Sequence, residues 1–460
     1  MNHKPIVIDP APAPNPRRDF LRLAAAPLGT LLLDACGGGG APTATAQSAP
    51  VTTASAAAAV SSEATPAPAP APAPTPVPSP APAPAPAPQP PAPDASPANP
   101  QLPSGPVPAW VSNLPLWQWY EIPNTALSSI DPAVRALGST GPSAKIDAWC
   151  GAALKRSGSV YMLGAAGGHS DYAGNEVNAL ALNVAAPQWV ELKGPTPNAE
   201  IIGDTQFFLD NRPSPTHTYY ASQFIESLNR LMVFGSQGVT GPFPAPPSGF
   251  PYVGVARSFS FNVAAGDWDG PDYVAQFPGT GTFIAALCVK HPWTDDVYYS
   301  RTYGDGWYRW TRVSNSWTRL SGMTRLPWFA GAAIDPLRNR MLVVGCYSAT
   351  APEVHNLDGS SVAVSFTGLG ASALALTGYP GVIYDEALDR YVVLYNAGGS
   401  VKVLRVDPQT WLVDDPLVGG TAPAARPNGI QNSVQYVPEL KGFVLANSHG
   451  GNVWFVRTAA

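Results

Sequence analysis

The sequence predicts an all-β fold, a propeller of six four-stranded units, or seven if a weak unit is hidden. Three observations predict it. A small-residue strand followed by an apolar strand recurs six times, some 44 to 70 residues apart, and fixed internal repetition is the mark of a stacked or circular array. A tryptophan stands near the end of most units. Charged residues make up only 12% of the chain, as suits a ring that pairs its own ends and exposes few sheet edges.

The first unit reads Ala148-Trp149-Cys150-Gly151-Ala152-Ala153-Leu154, a turn at residues 155–159, then Val160-Tyr161-Met162-Leu163-Gly164. A Gly-rich loop at residues 165–174 leads to an alternating strand at 176–183 and to Gln188-Trp189-Val190-Glu191-Leu192. Runs of four to eight residues between turn signals read as strands. The second unit has residues 218–224, a turn at Asn229-Arg230, Leu231-Met232-Val233-Phe234-Gly235, residues 258–263 and Asp267-Trp268. The third runs from Phe283 through Val297-Tyr298-Tyr299 to Ser316-Trp317-Thr318-Arg319-Leu320. The fourth pairs Gly331-Ala332-Ala333-Ile334-Asp335 with residues 340–345 and reaches Phe366, and the fifth pairs Gly381-Val382-Ile383-Tyr384-Asp385 with residues 390–395 and ends at Trp411. The last has residues 433–438, Gly442-Phe443-Val444-Leu445-Ala446 and Val453-Trp454-Phe455-Val456, one strand short. Trp117-Gln118-Trp119-Tyr120-Glu121-Ile122 matches the Trp-bearing outer strands and is expected to complete it. A seventh unit would have to lie in residues 195–215 or 238–254.

Three domains are expected: residues 1–36, 37–105 and 106–460. Pro16-Arg17-Arg18-Asp19-Phe20-Leu21-Arg22 precedes a short apolar run and Leu33-Asp34-Ala35-Cys36. The run is too short for a spanning helix, which needs about 20 apolar residues, and reads as a processed signal. It resembles a twin-arginine export signal ending in a lipoprotein cleavage box, with Cys36 the lipidated residue; Asp34 departs from the usual small residue there. The resemblance implies an exported, lipid-anchored protein in the periplasm or at the cell surface, held by several acyl chains. About half of the 54 prolines precede residue 106, and Ala-Pro pairs at residues 65–100 read as polyproline II, a spacer of about 100 Å at ~3.1 Å per residue.

The net charge of −5 and the absence of basic runs argue against nucleic-acid binding. Cys150, Cys288 and Cys346 remain beside Cys36, with no zinc spacing, and read as core thiols rather than a disulfide framework. A monomer is expected.

The Gly-rich turn after the second strand and the tryptophan of the fourth resemble those of the Kelch and galactose-oxidase-like β-propellers, over residues 117–458. In such a ring the loops into the first strand and between the second and third strands share one face. That places His169, Asp171 and Tyr172, then His217, Tyr219 and Tyr220, then His355, His449 and Asn432 toward that face, and His291 on the other. Function on such folds lives in the loops. Three chemistries fit. His169, His217, Tyr219 and Arg257 are the residue types of proton abstraction from a uronate, and resemble the ulvan-type lyases built on propellers. His169, Asp171, His217 and His449 would make a zinc or copper site. Aromatic clusters such as Trp293 and Trp307-Tyr308-Arg309-Trp310, with Trp328, would stack on sugars. The copper-radical oxidases of the family use an adjacent Tyr-His, and its absence here argues against that activity. The expected function is an envelope-anchored propeller that binds extracellular or envelope polysaccharide, its catalytic form cleaving uronate polymers by β-elimination. The alternative is a non-catalytic Kelch-type scaffold with an envelope protein as partner.

Overall fold

The computed structural model describes residues 105–133, 136–168, 171–235, 258–279, 282–302, 304–320, 329–345 and 351–460. The signal, Cys36, the Ala-Pro spacer, His169, Arg257, Trp328 and Cys346 lie outside these residues. Strand β1 (Trp119–Glu121) comes first in the chain and last in the ring. Blade 1 is β2 (Ala153–Lys155), β3 (Val160–Gly164), β4 (Val177–Ala181) and β5 (Trp189–Lys193). Blade 2 is β6 (Ser222–Ile225), β7 (Arg230–Val233), β8 (Phe259–Asn262) and β9 (Asp267–Trp268). Blade 3 is β10 (Thr282–Lys290), β11 (Val297–Thr302), β12 (Trp307–Thr311) and β13 (Ser316–Arg319). Blade 4 is β14 (Gly331–Asp335), β15 (Arg340–Val344), β16 (Glu353–Asn356) and β17 (Ser361–Val362). Blade 5 is β18 (Gly381–Asp385), β19 (Arg390–Ala397), β20 (Ser400–Val406) and β21 (Val413–Asp414). Blade 6 joins β22 (Val434–Val437), β23 (Gly442–Leu445) and β24 (Trp454–Arg457) to β1.

All six sheets are antiparallel meanders. The first strands touch in succession, β2 to β6, β10, β14, β18, β22 and back to β2, so the ring closes with six blades. Closure is by β1 on β24, Trp119 opposite Val456 and Glu121 opposite Trp454. Two outer edges carry a further bridge, Thr367 beside Leu412 and Gln118 beside Gly419. Such cover blunts edges that would otherwise pair with other chains. Among the described residues, α-helix is confined to Ala109–Ser112, Ala144–Asp147 and Ala371–Leu376.

Both faces of each blade pack on a neighbour, so the strands are apolar on both sides. Trp307 and Trp310 lie three residues apart on β12 and therefore on opposite faces, and both are fully buried. They belong to the core and not to a sugar-stacking surface, which corrects that expectation. Trp189 is buried too, its indole N–H donating to the Thr125 carbonyl at 2.8 Å. Burial of each such ring contributes about 2–3 kcal/mol.

The turns from first to second strand end on a left-handed residue in every blade: Ser159, Asn229, Asp295, Asn339, Asp389 and Lys441. Asn and Asp tolerate that region better than other residues. A hydrogen bond from these turns latches every seam. The Arg156 amide donates to Glu226 across the seam of blades 1 and 2. Ser227 donates to Asp295 at 2.6 Å, His291 meets Asn339 at 3.3 Å, and Arg338 forks onto Asp389 at 2.7 and 2.6 Å. Ala387 donates to the Tyr436 hydroxyl at 3.1 Å, and Ser159 to Glu439 at 2.6 Å.

Side chains bridge the central channel at two levels. Near the loop face the Tyr220 hydroxyl of blade 2 donates to the Pro380 carbonyl of blade 5, directly opposite. Near the turn face Arg156 of blade 1 forks onto Glu386 of blade 5 at 2.5 and 2.9 Å. A cavity of about 110 Å³ remains, lined by Gln223, Asn432, Gln435, Lys290, Arg156 and Glu386 among others. That is room for several waters.

Candidate functional site

The loop face repeats a second left-handed device. Just before or within the start of each first strand stands a residue with positive φ: Trp149, Tyr219, Ala285, Phe329, Tyr379 and Gln431, at +43° to +61°. Bulky side chains rarely occupy this region, and each such residue costs on the order of 1 kcal/mol or more unless its surroundings hold it. Here the surroundings do. The Tyr219 amide donates to the Trp149 carbonyl at 2.9 Å, Ile430 to Tyr379 at 2.9 Å, and Ala152 to Asn432 at 3.0 Å, which pins blade 1 to 2, 5 to 6 and 6 to 1. Gly151 has no room for a Cβ, which would lie 2.1 Å from the Tyr219 carbonyl oxygen.

These residues bring a line of rings together at the mouth of the channel. Trp149 and His217 have ring centres 5.2 Å apart, His217 and Tyr219 6.0 Å, Tyr219 and Phe329 5.9 Å, and Phe329 and Tyr379 4.4 Å. The line skips blade 3, whose member is the small Ala285. Trp149, Phe329 and Tyr379 are half-buried and Tyr219 is buried.

His217, 6% exposed, sits within this stripe. Its Nε2 lies 3.1 Å from Asp171 Oδ2, and the Thr140 hydroxyl donates to Asp171 Oδ1 at 2.8 Å. With Nε2–H on the carboxylate, Nδ1 is the basic nitrogen of the neutral ring. A carboxylate that fixes an imidazole in this way is what a general base needs. The structure therefore joins Asp171, His217 and Tyr219, three of the expected residues.

His449 lies in the loop from second to third strand of blade 6, as expected, but its partner is Asp131, with Nε2 2.9 Å from Oδ1. Its amide donates to Asp147 Oδ1 at 3.2 Å. Among the described residues no three of His, Cys, Asp and Glu converge as a metal set. His355 stands inside β16 rather than in a loop. It is 1% exposed, with Nε2 2.9 Å from its own strand neighbour Glu353, and this corrects its placement. His291 is on the turn face: Nδ1 accepts the Trp293 and Thr294 amides, each at 3.2 Å. Burial holds its pKa down at about 4.

Sequence reasoning missed two buried cations beneath the stripe. Lys145 is 2% exposed, its Nζ 3.5 Å from both Asp131 and Glu176. Tyr172 donates to the same Glu176 at 2.5 Å, and burial, then the Glu176 charge, push its hydroxyl far above the usual range. Arg426 is 1% exposed and makes no bond to a carboxylate. It donates to the carbonyls of Ile146, Cys150 (2.8 Å) and Ile430 (2.9 Å) and to Ser433 Oγ, and burial depresses its pKa. Arg426 thus clamps the segment that carries Trp149 against blade 6. Burial pushes the neighbouring Cys150 thiol up to about 11, so it is an inert core thiol. No sequence signal marks Arg426, which stands in a plain Ala-Arg-Pro-Asn loop. An aromatic before the first strand in four blades was the readable signal for the stripe.

No protein-family model matches the chain, and no curated protein does. Among solved structures it is similar to a protein of unknown function from Bacteroides thetaiotaomicron, at 11% identity and a TM-score of 0.45, over 74% of this chain and 75% of that one. It is also similar to TolB from Acinetobacter baumannii, at 9% identity and a TM-score of 0.33, over 62% of this chain and 60% of that one. Neither likeness carries a function across.

Proposed function

We propose that the protein is a glycan-binding propeller whose ligand lies along the aromatic stripe of the loop face. The observation that supports this is the run from Trp149 through His217 and Tyr219 to Phe329 and Tyr379, held in backbone conformations these residues do not otherwise favour. Backbone strain gathers where function over-determines conformation, and aromatic faces are the surface against which sugar CH groups pack. The propeller fold itself fits a binding or scaffold role. The finer kinship to Kelch and galactose-oxidase-like propellers belongs to this proposal, as do export, lipidation at Cys36 and the Ala-Pro spacer, which would hold the ring away from a membrane. Zinc or copper at the face is no part of it, because among the described residues no three of His, Cys, Asp and Glu converge.

A second reading is favoured by one observation, the Asp171–His217 pair. His217 would take the proton next to a uronate carboxylate, with Tyr219 beside it; His169 and Arg257, named for the same chemistry, lie outside the described residues. A purified chain from Trp110 to Ala460, incubated with a panel of neutral, amino and uronate polymers, tests both readings. Binding that Trp149→Ala weakens supports the glycan site; no binding to any polymer removes it. Ultraviolet absorbance of an unsaturated product, lost in His217→Ala, would establish elimination, and its absence with every uronate polymer would remove that reading.

A further inference from the structure

Three carboxamides gather on one side of the central channel, away from the aromatic stripe. Gln223 is the second residue of β6, Gln435 is the second of β22, and Asn432 stands two residues before β22. Strand β2 of blade 1 runs between β22 and β6. The Asn432 side-chain nitrogen donates to the Ala152 and Ser222 carbonyls at 2.7 and 2.8 Å. Gln435 donates to the same Ala152 carbonyl at 3.0 Å and to Asn432 at 2.9 Å. Gln223, next to Ser222 in the chain, donates to the Tyr220 and Cys288 carbonyls at 3.0 and 3.1 Å.

Two carbonyl acceptors on each nitrogen fix the orientation of all three amides. Their oxygens therefore point away from the backbone that holds the nitrogens. Among the described residues none of the three oxygens accepts a hydrogen bond, and all three side chains line the cavity of about 110 Å³. Asn432 is only 9% exposed, and the two glutamines are half-buried. Acceptors held in place without donors call for a ligand that supplies positive charge or hydrogen.

The cations of the cavity wall have other partners. Lys290 donates to Asp295 at 3.2 Å, and Arg156 forks onto Glu386 at 2.5 and 2.9 Å. Both stand at the turn end of the channel, since Lys290 ends β10 and Arg156 follows β2. Each positive charge thus has its own carboxylate, and the amide oxygens are left to a guest. Neutral carbonyl oxygens of fixed position are the ligands that replace the hydration shell of an alkali cation. Calcium and zinc draw instead on carboxylate, imidazole or thiolate groups, and among the described residues no three of these converge.

We infer that the channel binds a monovalent alkali cation through Gln223 Oε1, Asn432 Oδ1 and Gln435 Oε1, with waters completing its shell. The ion ties blade 6, the blade that β1 completes, to blade 2 across β2.

Rubidium, which scatters X-rays anomalously, tests the site in crystals of the protein soaked in rubidium chloride. The expected result is an anomalous peak within coordination distance of all three oxygens. Thermal melts in sodium, potassium and N-methylglucamine chloride at equal ionic strength supply the second measurement. The midpoint should stand about 3 °C or more higher in at least one alkali salt than in N-methylglucamine chloride. Gln223→Leu, and separately Gln435→Leu, should abolish that difference between salts, whatever the midpoint of the variant itself. Equal midpoints in the three salts, no rubidium peak at the three oxygens, or a difference that both variants keep would each overturn the inference and leave the channel to water.

Discussion

The two faces of the ring use the same backbone device and fill it with opposite chemistry. On the turn face the left-handed positions are Ser159, Asn229, Asp295, Asn339, Asp389 and Lys441, mostly types that accept the conformation. Side chains from these turns tie each blade to the next. On the loop face the corresponding positions are Trp149, Tyr219, Ala285, Phe329, Tyr379 and Gln431, four of them aromatic. The first set minimises strain and spends its polar groups on the ring. The second set keeps strain and leaves three of its four aromatic residues only half-buried. The contrast separates what holds the fold from what that fold presents.

The largest expected effect comes from removing the clamp beneath the stripe. Arg426→Met leaves the Ile146, Cys150 and Ile430 carbonyls without their charged donor and should cost about 3 kcal/mol in denaturant unfolding. A loss under about 1 kcal/mol would mean that the Trp149 segment holds itself.

The turn face should show its own signature in pH. His291 has a folded pKa depressed to about 4 by burial, against 6.5 for the free group. The unfolded state therefore binds more protons between those values, and stability present above pH 6.5 is lost as pH falls toward 4. The expected loss is on the order of 2–3 kcal/mol. His291→Asn, whose side chain can still accept the Trp293 and Thr294 amides, should flatten that slope; an unchanged slope assigns the acid sensitivity to other groups.

A smaller effect tests the left-handed turns directly. Asn339→Gly, which loses only the hydrogen bond to His291, should destabilise by about 1 kcal/mol, and Asn339→Ala, which also bears the strain of the left-handed conformation, by about 2 kcal/mol, both read from denaturant midpoints. The smallest belongs to the exposed pair of Arg319 and Asp305, 3.7 Å apart. Arg319→Ala should change stability by less than about 0.5 kcal/mol.

Much of the ring was legible in the sequence, because apolar second strands and outer tryptophans repeat and the unfinished last blade asks for an N-terminal strand. Trp117 to Ile122 supplied it through β1. The misread residues share a cause. His355 looked like a loop residue because β16 is only four residues long, and strand periodicity is faint over so short a run. Trp307 and Trp310 were judged by their distance from the fourth strand, whereas a blade buries both faces and so has no face for a spare tryptophan to show. At the loop face, Asp171, His217 and Tyr219 were readable as neighbours from topology alone. Arg426, Lys145 and the left-handed aromatics were not, because their roles depend on contacts between separate segments that no local pattern joins. Arg426 reaches Ile146 and Cys150 across 280 and 276 positions of sequence.

One measurement tests the division of labour most directly: affinity for the polymer of the panel that the unaltered chain binds, and denaturant midpoint, taken together, for Trp149→Ala and for the turn-face latch variant Glu439→Ala. The account predicts that Trp149→Ala loses about tenfold or more in affinity while Glu439→Ala loses stability and keeps its affinity. Equal affinity losses in the two variants, or none in Trp149→Ala, would contradict it.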